Sequence, residues 1–97
     1  MADFIMLMHT LPGNVSEGSW DGYLDRLAKA GHLRGGSAIG GGKCFNKSGI
    51  ATPVSAHLSG FIRIDAESLD ATAELLVGNP VFEAGGTVEI RELPETD

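Results

Sequence analysis

Cysteine is almost absent: Cys44 is the single one in 97 residues. It cannot close an internal disulfide or build a cysteine-rich zinc site, so a reducing, cytoplasmic setting is expected. Cations are scarce as well. Seven Lys and Arg stand against thirteen Asp and Glu, a formal charge of −6. That balance argues against nucleic acid, whose binders neutralise phosphates with clustered basic residues, and against anionic membrane surfaces. The opening apolar run, Phe4-Ile5-Met6-Leu7-Met8, has no basic lead-in and is far too short to span a bilayer. A phosphate loop is missing too: Ser37 stands six positions before Lys43, where a Walker A needs glycine, and Cys44 replaces the following Ser or Thr. His9, His32 and His57 show no metal-ligand spacing, so neither a metal nor a cofactor is expected. What is present is an ordinary globular mixture, 42% hydrophobic and 21% charged, sized for one domain over residues 1–97.

Along the chain, Phe4 to Met8 reads as a strand covered on both faces, and Leu11-Pro12-Gly13-Asn14 breaks it. Trp20, Tyr23, Leu24, Leu27 and Ala30 then fall on one helical stripe. Ser16 or Ser19 suits its start, and Gly31 its left-handed end. A strand is expected around Leu33 to Gly40, then an irregular, glycine-rich, hairpin-like excursion through Lys43 to Val54. Leu58 to Ile64 is the next strand. A second helix is expected to present Leu69, Ala73, Leu76 and Val77 on one face until Gly78 and Asn79-Pro80 stop it. A turn through Phe82 and Gly85-Gly86 leads to a last strand, Thr87 to Leu93.

The order is β-α-β-β-α-β, that of an α+β, ferredoxin-like antiparallel sheet with both helices on one face. The other face is left bare. Yet strand one is apolar on both sides, and Phe61 and Ile62 point opposite ways. A second copy packed sheet to sheet around a twofold axis is the simplest cover, so a homodimer is expected.

The run from Leu58-Ser59-Gly60-Phe61 through Ile64-Asp65-Ala66 to Ala71 resembles the YCII-related (DGPF-type) family. So does the tail Asn79-Pro80-Val81-Phe82-Glu83-Ala84-Gly85-Gly86-Thr87-Val88-Glu89-Ile90-Arg91. The resemblance implies a dimeric α/β barrel, and members that often accompany sigma-factor regulators. One branch of that family eliminates chloride from chlorinated aromatic intermediates. Its Asp near the end of strand one and its His on the first helix, a proposed catalytic pair, are replaced here by Thr10, with His9 just before it, and by Tyr23 or a near neighbour. The Asp-Gly-Pro-Phe motif is also missing; Gly49-Ile50 or Thr52-Pro53-Val54 stands in that region.

Strand topology offers its own candidates. His9 ends strand one and His57 precedes strand three, its antiparallel neighbour, so the two imidazoles meet at one sheet end. They suit proton transfer near neutrality; the plainer alternative is two unrelated strand-end histidines. His32, after Gly31, reads as a helix-end cap. Parity puts Arg63, Glu89 and Arg91 on the bare face, where an Arg–Glu pair is expected or an arginine grips an anionic oxygen. Trp20, Tyr23 and Phe61 either wall an aromatic pocket or belong to the core. Two functions follow. One is a homodimer with a small-molecule site near His9, performing cofactor-independent lyase- or isomerase-type chemistry on a small aromatic or carbonyl compound. In it His9 acts as base, and His57, Tyr23 or Arg63 stabilises oxyanion charge. The other is a non-catalytic ligand-sensing or structural dimer.

Overall fold

The computed structural model describes residues 2–10, 17–49 and 52–95. Among the described residues four strands and three helices follow in the order β1 (Ala2–His9), α1 (Glu17–Lys29), β2 (Leu33–Ala38), β3 (Leu58–Ala66), α2 (Leu69–Glu74), α3 (Pro80–Glu83) and β4 (Val88–Leu93). The strands form one antiparallel sheet in the order β2-β3-β1-β4. This is the ferredoxin-like α+β arrangement that the alternation of elements predicts.

Side-chain alternation explains which face the helices cover. Phe4, Met6 and Met8 of β1 and Ile62, Ile64 and Ala66 of β3 are buried beneath Tyr23 and Leu27 of α1 and Val81 of α3. Their neighbours in sequence point the other way. Register carries the pattern outward: Ile90 lies beside Met6, Val88 beside Met8, and Gly36 beside Ile62. Ile5, Leu7, Phe61 and Leu93 therefore emerge on the opposite, helix-free face, where they are only half-buried. Among the described residues no helix is long and apolar enough to cross a membrane.

The end of α1 follows from Gly31, whose φ of +82° lets the chain turn left-handed. The Gly31 amide donates to the Ala28 carbonyl (3.1 Å) and the His32 amide to Leu27 (3.0 Å), a Schellman closure. His32 thus caps through its backbone. Its imidazole turns aside to hydrogen-bond the Asp65 carbonyl, Nδ1 to oxygen 2.8 Å, tying the helix end to β3. The helix begins at Glu17, so Ser19 lies inside it, whereas Ser16 and the break at 11–14 fall outside the described residues.

The second helical segment departs from the expected phase. It spans only Leu69–Glu74 and buries Thr72, whose hydroxyl donates to the Ser68 carbonyl at 3.0 Å. Leu69 and Val77 are exposed instead. Asn79 then starts a separate four-residue helix, its Oδ1 accepting from the Val81 and Phe82 amides at 3.0 and 3.1 Å, with Pro80 at the first helical position. β2 is shorter than expected, ending at Ala38.

Candidate functional site

A cleft of about 710 Å³ opens between α1 and the β2 side of the sheet. Its origin is local. α1 seats Tyr23 and Leu27 over the centre of the sheet, while the helix-facing positions Gly36, Ala38 and Gly60 offer almost no side chain. At Gly36 glycine is obligatory, because a Cβ would stand 2.6 Å from the Phe61 carbonyl oxygen and 3.2 Å from the Ile62 Cα. Trp20 and Leu24 of α1 and Val81 of α3 form one wall; Met8, Leu33 and Ile62 lie opposite; Thr10, Ser37 and Ser59 complete the lining, their hydroxyls donating to the Ala56, Ala38 and Met8 carbonyls. Among the described residues, none that lines this cleft is an acid, a base or a histidine. Its form and apolar walls suit an apolar molecule.

Trp20, proposed from sequence as part of an aromatic wall, lines the cleft; Phe61 is also among its lining residues, but alternation in β3 sends its side chain to the helix-free face. Tyr23 does not line it. It is buried in the core, edge-on to Trp20 at 6.2 Å, and its hydroxyl donates to the Leu75 carbonyl at 2.7 Å. Burial pushes its phenol above the ordinary value, against smaller opposing effects of the Asn79 side chain and the Arg26 cation. A buried hydroxyl already donating to backbone is core structure. The residues that sequence reasoning missed are the lining glycines and Ala38; a strand reading Gly-Gly-Ser-Ala under an aromatic helix face was the signal that something other than packing fills the space.

The histidines gather elsewhere. His9 and His57 stand edge to face with ring centroids 5.0 Å apart, held there because the Thr10 amide donates to the His57 carbonyl at 2.6 Å. Alternation after Met8 puts His9 on the helix-free face, and the extra β3 residue, Ser59, sets it opposite Leu58. There its Nε2 lies 3.0 Å from Glu89 Oε1, and Arg91 donates to Glu89 Oε2 at 3.3 Å. A carboxylate only accepts, so Nε2 carries the proton and the neutral ring keeps Nδ1 as its basic atom. The hydrogen bond from His9 and then that from Arg91 hold Glu89 below its ordinary value of 4.5. The expected arginine–glutamate pair is the Arg91–Glu89 one; Arg63 is exposed beside Ile5 and makes no ion pair among the described residues. Cluster and cleft share one end of the sheet but occupy opposite faces. The large cavity therefore does not lie beside His9. No group of three or more His, Cys, Asp or Glu among the described residues is placed to hold a metal ion.

No family model matches this sequence, and no curated protein does. Solved structures share the fold, among them 5-chloro-2-hydroxyhydroquinone dehydrochlorinase (TftG) from Burkholderia phenoliruptrix AC1100, in complex with 2,5-dihydroxybenzoquinone. At 17% identity and a TM-score of 0.60, the match covers 97% of this chain and 95% of that one. The α+β fold holds over nearly the whole length.

Proposed function

We propose that this chain is a cytoplasmic, YCII-related homodimer of the dimeric α/β-barrel type that binds a small planar compound, aromatic or carbonyl-bearing, in the cleft between α1 and β2. The carrying observation is a cleft of about 710 Å³ with apolar walls, where Gly36, Ala38 and Gly60 leave the sheet almost bare of side chains beneath α1. That volume falls in the range of small-molecule sites. Thr10, where the family resemblance would place an aspartate, is part of the lining. A structural neighbour with a dihydroxybenzoquinone bound supports the same ligand class. Neither a metal nor an organic cofactor belongs to this reading.

Trp20 is the sole tryptophan and lines the cleft, so its fluorescence reports on occupancy. Titrating 2,5-dihydroxybenzoquinone and simple hydroxybenzoates, by calorimetry alongside Trp20 emission, should give saturable binding that Ala38→Phe abolishes by filling the cleft. No binding across the set, or equal binding by the filled variant, overturns the reading.

The His9–Glu89 pair favours a second reading, catalysis. Glu89 orients His9 Nε2 and leaves Nδ1 free to take a proton, with His57 beside the developing oxyanion; Arg63, opposite Ile5 four residues along β1, lies away from this pair within one chain, and the reaction is lyase- or isomerase-type chemistry at the barrel end. His9→Ala should then abolish turnover while the dimer persists; unchanged turnover refutes the role.

A further inference from the structure

Residues 39–57, between β2 and β3, leave the sheet as an arm whose described residues are all exposed. Its limbs lie side by side: Cys44 Sγ is 3.5 Å from the Pro53 carbonyl, and the Gly49 amide donates to Asn46 at 2.9 Å where the chain reverses. Phe45, just before the reversal, is 90% exposed. The radius of gyration is 14.9 Å, against about 12.5 Å for a compact chain of this length. The chain is also electrically divided. Six of its seven Lys and Arg lie between Arg26 and Arg63, with no acid among them; all thirteen Asp and Glu lie outside that stretch. Lys43 and Lys47 thus flank Phe45 on a purely basic arm.

The complement lies on the α2–α3 layer. Leu69 (53%), Val77 (67%) and Phe82 (44%) are exposed there, among the exposed carboxylates of Glu67, Asp70, Glu74 and Glu83. Leu69 follows the far end of nine-residue β3, whose near end roots the arm; a strand of that length spans roughly 30 Å. The arm therefore does not meet Leu69 on its own subunit, whereas a twofold partner offers the same patch reciprocally.

We propose that the arm clasps a second copy of this chain, seating Phe45 on the partner's α2–α3 layer with Lys43 and Lys47 against its carboxylates. This rests on the homodimer reading and adds a contact separate from the helix-free sheet face. Light scattering and sedimentation equilibrium on the full chain test it. Phe45→Ser combined with Lys43→Glu and Lys47→Glu should weaken dimerisation roughly tenfold or more, with the far-UV spectrum unchanged, and added salt should weaken the wild-type dimer. Leu69→Cys and Val77→Cys, each oxidised with native Cys44, should give a disulfide-linked dimer in at least one case, lost on Cys44→Ser. A dimer of unchanged strength, or one that never cross-links, overturns the clasp and leaves the sheet-face dimer standing. A disulfide closed within one chain also overturns it, placing the arm on its own subunit. A wild-type particle of one chain overturns the homodimer reading itself.

Discussion

Gly36 and Glu89 show how single residues set this site. A methyl group at Gly36 meets the Phe61 carbonyl, part of the rigid ladder, at 2.6 Å. Gly36→Ala must therefore push β2 off β3, and overpacking of that kind costs about 1–3 kcal/mol; urea denaturation should show the loss, together with weaker ligand binding as the cleft wall shifts. Glu89 acts through charge. Its carboxyl is a stronger acid folded than unfolded, so its contribution is complete above about pH 4.5 and disappears as the pH falls through the lower folded value. Melting temperatures of wild type and Glu89→Gln should separate above that range and converge in stronger acid; a constant gap across pH would contradict the pairing. Of these features, the His9–His57 meeting was legible in the sequence, since antiparallel topology alone brings a strand end to a strand start. The cleft was legible only in part: the Gly-Gly-Ser-Ala strand shows where side chains are missing, but not what the opposing helix leaves unfilled.

At the level of elements, α2 and α3 show where periodicity misleads. The stripe Leu69, Ala73, Leu76, Val77 assumes one helix of about three turns, but the helix stops at Glu74 and buries a different face. Thr72 can be that buried face because its hydroxyl donates back to Ser68, and Asn79 can be wholly buried because its oxygen caps the next helix. Polar residues at buried caps are invisible to a count of apolar spacing. They also carry stability. Asn79→Ala leaves two amides without their acceptor, and should lower unfolding free energy by about 1–2 kcal/mol, read from chemical denaturation. Ser68, whose Oγ accepts from the Ala71 amide at 3.0 Å, is an exposed cap. Ser68→Ala should cost less than Asn79→Ala, since water can replace the lost acceptor.

Over the whole molecule, β1 and β3 carry apolar side chains on both faces, and this chain's helices cover one; the proposed homodimer covers the other. Met6, fully buried under α1, and Leu7, half-buried on the bare face, are neighbours in sequence with opposite surroundings. Charge on the bare face is nearly matched: Asp3, Asp65 and Glu89 share it with Arg63 and Arg91, and Arg34 pairs with Asp65 at 2.7 Å. A surface with an apolar centre and balanced charge can pack on its own image without stranding like charges. Two glutamates therefore separate the roles. Met6→Glu buries an uncompensated charge inside each chain and should abolish folding, seen as loss of near-UV and far-UV ellipticity. Leu7→Glu leaves that core intact, so the chain should stay folded but lose about 3 kcal/mol or more of dimer stability. On the proposed homodimer, light scattering should then report one 10.1 kDa chain for Leu7→Glu and twice that mass for the wild type. If Leu7→Glu remains as tight a dimer as the wild type, the bare face is not the interface, and the greasy half of the sheet must be covered by something other than its twin.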